Sequence, residues 1–427
     1  MNAPIEMKAK IYYGWWIVAA SFILLFLYAG AGFYSFSIFI HPLENAFGWS
    51  RSQISLAISI YLLVHGISAP GVGYLIERFE PKTIVTIFSI ISGLAFLLVS
   101  FTQSLWYFYA SYVLLSIGTT GIGYIPLGTL LSRWFVKKRG TAIGISMVGL
   151  ALGGVVLAPL IEWIVSTYNW RVTFVVLGIM VWVIAIPLSL LVLRKDPSEM
   201  GLLADGVSPG HDVNGSQTAT ACENASPVVL EGWPLAAAIR TRAFWGLVLG
   251  FSLGSIGMMG VLQHQVPLIT DKGISAAVAA SALGLTAGLG GLGKLGFGKI
   301  SDLIPFRYAT IICYSMQAIA VMALLNGNTM GMLWFYVLIF GFSMGGVVLL
   351  VAIGVANYFG LASLGIIMGI VSLCQSLGYS SGAILSGLIY DAFGSYDAAL
   401  KLYIVIYGMA ILAMFAAGKP REYQQRE

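Results

Sequence analysis

The sequence predicts an all-α integral membrane protein with twelve transmembrane helices in two pseudo-symmetric six-helix halves. Three observations predict it. Of 427 residues, 59% are hydrophobic and only 9% are charged, against roughly 25% charged in a soluble domain. Twelve apolar windows have the length, about 20 residues, that crosses a hydrocarbon core about 30 Å thick. A Gly-x-(Leu/Ile)-x-acid segment occurs twice, after the second window and again after the eighth.

Composition excludes a soluble globular protein, because 22 Lys and Arg with 17 Asp and Glu cannot cover a water-facing surface. The windows lie at 14–40, 52–76, 83–102, 105–130, 140–165, 171–193, 242–268, 276–300, 308–326, 332–356, 363–388 and 397–417. The first is far longer than the h-region of a signal peptide, about 7–15 residues, and has no small-residue cleavage site, so no cleaved leader is expected. Cys222, Cys313 and Cys374 are far apart and show no CxxC or Cys/His spacing, which argues against a disulfide framework and against a structural metal. No cofactor is expected.

The basic residues set the expected orientation. On the side of the N-terminus fall Lys8, Lys10, Arg78, Lys82, Arg133, Lys137, Lys138, Arg139, Arg194, Lys195, Arg240, Arg242, Lys299, Arg307, Lys419, Arg421 and Arg426; the other side holds only Arg51, Arg171, Lys272 and Lys401. The positive-inside rule then puts both termini and the central loop in the cytoplasm of a multi-pass cell-membrane protein. The net charge of +5 is thereby a topological signal, and no nucleic-acid partner is expected. The one long hydrophilic stretch, 194–241, divides a half at 1–193 from a half at 242–427. From Asp205 to Ser226 it is rich in Gly, Ser, Thr, Asn and Ala and reads as a flexible linker. Its sequons at Asn214 and Asn224 fall on the cytoplasmic side and read as chance matches.

The repeated segment runs from Gly73 to Lys82 and from Gly298 to Arg307, 225 positions apart. In each copy Gly permits close helix approach (Gly73, Gly298), an acid sits at a helix end (Glu77, Asp302), and a base follows five residues later (Lys82, Arg307) to pair with it or with a helix dipole; Arg78 adds a second base to the first copy. A repeat at matching places in two six-helix halves is the signature of a two-lobed transporter. By contrast Gly288-Leu289-Gly290-Gly291-Leu292-Gly293 spells a dinucleotide fingerprint but has no preceding strand and lies within an apolar span, so close helix packing is the better reading.

The repeat in a twelve-span frame resembles the major facilitator superfamily over essentially the whole chain. Tyr13-Gly14-Trp15-Trp16 resembles the opening motif of the monocarboxylate transporters and their bacterial oxalate/formate exchanger relatives, and the segment from Trp134 to Gly144, an aromatic pair and a basic cluster leading into small residues, resembles that group's second motif. An ionisable group inside a span costs several kcal/mol and is a functional candidate by default. Lys294 is the first such candidate; either it snorkels to the surface or it binds an anion. The resemblance implies the second, because that position corresponds to an arginine that binds substrate carboxylate in the group. The chain also departs from the pattern. Gly290 stands where animal relatives carry an aspartate, Tyr34 where they carry a lysine, and Gln375 and Tyr379 occupy the span in which the exchanger has a second base.

Tyr34, Tyr124, Gln375 and Tyr379 are candidates to hydrogen-bond a carboxylate, each with an interhelical bond as its alternative. Gln375 and Tyr379 share a helix face, and Pro126 marks a break beside Tyr124. His264 is the candidate proton carrier, with a hydrogen-bonded histidine at an outer helix end as the equal alternative. His65, one turn after Tyr61, reads as a packed histidine, and His41 as interfacial. The expected protein is a secondary active transporter, monomeric as a transport unit, not an enzyme. Its expected substrate is a small lactate- or pyruvate-like monocarboxylate moved with a proton; the alternatives are an exchanger of the oxalate/formate type or a non-transporting receptor. The orientation has a direct check in the native thiols: a membrane-impermeant maleimide should reach Cys222 only after the membrane is opened, and labelling in intact cells would reverse the topology.

Overall fold

The computed structural model describes residues 12–206, 233–327, 329–360 and 364–418, with the side chains of 77, 364 and 365 excepted. Lys8, Lys10, Lys419, Arg421, Arg426, Cys222, both sequons and most of the expected linker lie outside these residues, as does the side chain of Glu77. Among the described residues twelve helices are long and apolar enough to cross a membrane: α1 Gly14–Phe47, α2 Arg51–Ile76, α3 Pro81–Ser100, α4 Leu105–Trp134, α5 Arg139–Thr167, α6 Trp170–Val192, α7 Arg242–Gln263, α8 Ala276–Leu303, α9 Phe306–Asn326, α10 Met330–Phe359, α11 Ile366–Phe393 and α12 Asp397–Ala416. The side carrying the start of α1 and the loop 133–139 is called here the basic face, and the other the opposite face.

Backbone chemistry explains where the helices end and bend. α1 runs past the expected end at 40 and stops at Gly48, whose φ of 66° suits glycine and whose N–H caps the Glu44 carbonyl. Ser50 then opens α2 with a capping box, accepting from the Gln53 N–H while the Gln53 side chain accepts from the Ser50 N–H. Inside α1, Tyr28–Tyr34 is π-helical, a widening that is frequent at functional sites. The seventh span, expected unbroken to 268, breaks at His264 and resumes as a short helix, Gln265–Thr270. Pro267 has no N–H for the carbonyl of Gln263, which accounts for the break. In α4 the helix is interrupted at Gly121–Gly123, where Pro126 likewise leaves the Ile122 carbonyl without its helical donor.

Small residues let the helices approach closely. The glycine run of α8 divides its work: Gly288 and Gly291 face Val155 and Ala151 of α5, and Gly290 and Gly293 face Gly345 and Phe342 of α10. It is a packing surface and not a nucleotide loop. Along α7, Gly254, Gly257 and Gly260 receive the rings of Tyr314, Tyr407 and Tyr403.

Two seams join the halves α1–α6 and α7–α12. In one, α5 meets α8 where Gly154 and Val155 pack on Gly284, Ala287 and Gly288. In the other, α2 meets α11: Ser59 Oγ donates to the Ser380 carbonyl at 2.7 Å, and Gly66 lies against Ser376. Dispersion between backbones brought this close is the main helix–helix attraction in lipid. A side chain at Gly345 would strike the Gly290 carbonyl. Gly345→Val is therefore expected to destabilise the protein by about 1–3 kcal/mol, read as a lower unfolding midpoint in detergent; an unchanged midpoint would contradict the α8–α10 packing.

Candidate functional site

The halves are locked together at the opposite face. Arg51, 3% exposed at the start of α2, holds Asp271 of the other half through two bonds, Nη1 to Oδ2 at 2.5 Å and Nη2 to Oδ1 at 3.0 Å. Its Nε reaches Glu44 at 3.3 Å, its Nη1 donates to the Tyr396 hydroxyl at 3.0 Å, and its guanidinium lies 3.6 Å from the Tyr390 ring centroid. A planar fork with five donors is the side chain suited to so many partners. Asp391 of α11 accepts the backbone N–H groups of Arg51 and Ser52 at 3.0 and 2.9 Å, so one half's carboxylate caps the other half's helix N-terminus. His41, expected merely at the interface, bridges Glu44 at 3.1 Å and Asp271 at 3.3 Å. Burial alone would raise the Asp271 carboxyl, but hydrogen bonds and charge from His41 and Arg51 hold it below its ordinary value. The lock is thus intact above the carboxylate range and is lost only as pH falls through that depressed value.

Toward the basic face both seams part. Gly144 lies two turns before Ala151 on the same face of α5, and Gly369 two turns before Ser376 on the same face of α11. A Cβ at either would have no neighbour within 4 Å. Between the halves this leaves a cleft, closed at the opposite face and open to the basic one.

The substrate-site residues singled out from the sequence lie on helices of both halves, Tyr34 on α1, Tyr124 on α4, Lys294 on α8, and Gln375 and Tyr379 on α11. Lys294 of α8 is partly exposed and, among the described residues, has no hydrogen-bond or ion-pair partner. Its backbone packs on Gly345, which places it on the frame of α8 and α10. Tyr34 and Ala287 both press on Gly154, and Lys294 lies two turns from Ala287 toward the basic face, about 10 Å along the axis. The Tyr28 hydroxyl is within electrostatic reach of Tyr34, Tyr61 and Tyr124, and Tyr124 is within reach of Tyr379 across the cleft. Tyr124 is 42% exposed. Gln375 is buried, with its Nε2 lacking a hydrogen-bond partner, an unsatisfied donor that costs about 1–3 kcal/mol unless something accepts from it. No hydrogen bond joins Lys294 to the tyrosines or to Gln375 within the described residues.

His264 lies elsewhere. It is fully buried at the α7 break, behind the Arg51 lock, with Nδ1 2.9 Å from the Tyr396 hydroxyl and Nε2 2.9 Å from both the Ala383 carbonyl and Ser55 Oγ. Nε2–H donates to that carbonyl while Nδ1 accepts from Tyr396, so the neutral ring is satisfied. A second proton would add a buried cation beside Arg51. This geometry suits a structural histidine and works against the proton-carrying role.

The repeated motif forms no acid–base pair within its described side chains. Gly73 lies near Ile125 and Gly298 near Leu349. Arg78 donates to the Tyr74 hydroxyl at 2.6 Å, Asp302 is exposed without an ion-pair partner, and Arg307 stacks over Tyr308 at 4.7 Å. The Arg51 lock escaped sequence reasoning; its only trace was that Arg51 is one of four bases on the poorly charged side. The two other family-like segments meet at the basic face. Tyr13 packs on Trp134 and Trp15 on Phe135, with centroids 5.6 and 5.2 Å apart, and Tyr13 Oη donates to the Val192 carbonyl at 2.9 Å. Asp205 accepts the N–H groups of Val136, Lys137 and Lys138. Slight burial works to raise its carboxyl, and these three backbone donors with the Lys137 charge hold it below the usual range.

Comparisons with known proteins agree with this architecture. Residues 21–363 match the Major Facilitator Superfamily. The MFS-type transporter YcxA of Bacillus subtilis is 26% identical over 392 residues, 88% of each chain. Monocarboxylate transporter 13 of Bos taurus is 25% identical over 403 residues, 94% of this chain and 87% of that one. The oxalate:formate antiporter of Oxalobacter formigenes is 23% identical over 311 residues, 72% of this chain and 68% of that one. A bacterial homologue of the human lysosomal transporter Spinster, solved inward-facing and occupied, superposes with a TM-score of 0.75 over 98% of this chain and 100% of that one; at 16% identity it speaks to the fold alone. A match through most of the sequence, on twelve membrane-length helices arranged in that fold, settles the assignment: the chain belongs to the major facilitator superfamily, a family of multi-pass membrane transporters and not of enzymes.

Proposed function

We propose that the protein is a secondary active transporter for a small organic monocarboxylate, working by rocking residues 1–193 against 242–427 around the cleft. The observation that carries this reading is Lys294, a cation at the parted end of the cleft with no counter-ion among the described residues. A carboxylate would supply the missing charge, and the donors of Tyr34, Tyr124, Tyr379 and Gln375 would complete its hydrogen bonding. An ammonium is a point charge and not a planar fork, so it attracts a carboxylate without bidentate geometry. One permanent cation suits a monoanion better than a dianion.

With the basic face in the cytoplasm, the structure is inward-facing, and one chain suffices as the transport unit. Moving an anion inward against an inside-negative potential costs about 2.3 kcal/mol per 100 mV. A proton moved with it removes that cost, which favours symport. The monocarboxylate names of relatives at 25% identity support the substrate class, and the antiporter relative keeps anion exchange as the result to be tested against.

Lys294→Ala is expected to remove about 1.5–3 kcal/mol of charge-assisted binding, raising the half-saturation constant for a short monocarboxylate roughly ten- to a hundredfold. Thermal stability should not fall, because the ammonium has no partner to lose. Lys294→Arg should retain transport. Uptake into proteoliposomes with a competition panel of short mono- and dicarboxylates measures all of this. Unchanged uptake by Lys294→Ala would remove the site, and uptake indifferent to an imposed pH gradient would point to exchange.

A further inference from the structure

Three of the four histidines lie within the described residues, and they differ in what surrounds them. His264 has both ring nitrogens engaged and no access to the cleft. His41 sits in the outer lock, 30% exposed, so it would still face the outside while the cleft is open to the basic face. A carried proton has to leave by the side from which the solute leaves, and neither residue offers that route. His65 does. It lies near the middle of α2 and is partly exposed; its Nε2 is 3.0 Å from the Tyr28 hydroxyl, and its Nδ1 has no hydrogen-bond partner among the described residues. Tyr28 opens the π-helical stretch of α1, and its hydroxyl reaches across to α2.

Depth in the membrane ties this pair to Lys294. Tyr34 and Ala287 share a level, since both press on Gly154. Tyr28 precedes Tyr34 by six residues, at most about 9 Å toward the basic face, and Lys294 is about 10 Å from Ala287 in the same direction. On the second seam Gly66, the residue after His65, lies against Ser376, the residue after Gln375. Tyr28, His65, Lys294 and Gln375 thus ring the cleft at one depth, on α1, α2, α8 and α11.

We propose that His65, hydrogen-bonded to Tyr28, is the site that takes up the transported proton, forming together with Lys294 a two-cation pocket for one carboxylate. The groups facing His65 are the Tyr28 hydroxyl from α1, the Tyr61 ring from its own helix at 6.2 Å, and Ser376 across the seam beside it. No described carboxylate, Lys or Arg forms an ion pair with it. Without a fixed counter-ion, an imidazolium at this depth is costly. A bound carboxylate supplies the counter-ion, so solute and proton each raise the other's affinity by the same factor. The proton adds to a ring nitrogen, and the carboxylate stays ionised between imidazolium and ammonium. Acting as the neutral ring, His65 leaves only one interior cation, and the empty carrier can return without a charge trapped there by the proton.

This inference rests on the proposed monocarboxylate symport, and pyruvate-loaded proteoliposomes with an internal pH dye separate the two. In the unaltered protein pyruvate entry should bring protons with it and quicken as the outer pH falls. If it does not, the symport reading itself fails. His65→Gln should raise the half-saturation constant for pyruvate and still carry out pyruvate/pyruvate exchange at saturating pyruvate, where Lys294 alone pairs the carboxylate, while losing proton entry, accumulation driven by a pH gradient and the pH dependence of uptake. Tyr28→Phe keeps the ring packing and removes only the hydroxyl; it should shift the pH midpoint of uptake. Proton entry retained by His65→Gln, or an unmoved midpoint in Tyr28→Phe, overturns the proposal while leaving symport intact. Loss of exchange at saturating pyruvate in both variants also overturns it, because Lys294 alone should still pair the carboxylate there.

Discussion

The bidentate grip of Arg51 on Asp271 is the contact on which the present shape of the molecule depends. It joins residues 220 positions apart, and around it gather Glu44, His41, Tyr390, Tyr396 and the helix-capping carboxylate of Asp391. The apolar seams hold the halves by close packing of small residues, a non-directional attraction. A network of charge-assisted bonds at one end biases the rocking of the halves. Because the lock sits at the opposite face, the cleft opens at the basic one. Exposed ion pairs contribute little, but Arg51 is buried, and removing one partner of a buried pair leaves an uncompensated charge.

The cleft follows a different economy of charge. The lock consists of satisfied groups, whereas the cleft keeps a cation at Lys294 and a buried amide donor at Gln375 without partners among the described residues, and an imidazole at His65 bonded through one nitrogen to Tyr28. Such groups are unfavourable in the resting molecule and become favourable when a ligand completes them, which is the condition for solute binding to drive a change of state. The glycines of α8 serve this indirectly. By drawing α8 against both α5 and α10, they hold the Lys294 backbone on a rigid frame while leaving its side chain in the opening.

Much of this was legible in the sequence for a definite reason. Lipid permits few backbone solutions, so span number and the glycine packing face could be read from local composition, and Lys294 stood out because a charge within a span is expensive. Tyr34, Tyr124, Tyr379 and Gln375 were chosen by residue type, and of these the structure brings Tyr124 and Tyr379, from opposite halves, within electrostatic reach of one another. The lock was not legible, because its partners are as much as 340 positions apart and acids and bases near span ends look alike in one dimension. The sequence ranked His264 above His65 as a proton carrier, and the surroundings of the two rings favour the reverse order for a related reason. Pro267 drew attention to His264 by breaking its helix, but the break buries the ring behind the lock. His65 gave no local sign, since its partner Tyr28 comes from another helix and from a π-helical turn that no periodicity predicts.

The most direct test is the distance between the halves at the opposite face, measured by paired spin labels at Gln103 and Ala392, exposed positions on the two halves, with and without Arg51→Ala. The account predicts a short, narrow distribution in the parent that lengthens and broadens in the variant, because loss of the guanidinium removes the bidentate bond between the halves and leaves Asp271 and Glu44 with His41 as their ion-pair partner among the described residues. An unchanged distribution in Arg51→Ala would contradict it, and would mean that the seams alone hold the opposite face shut.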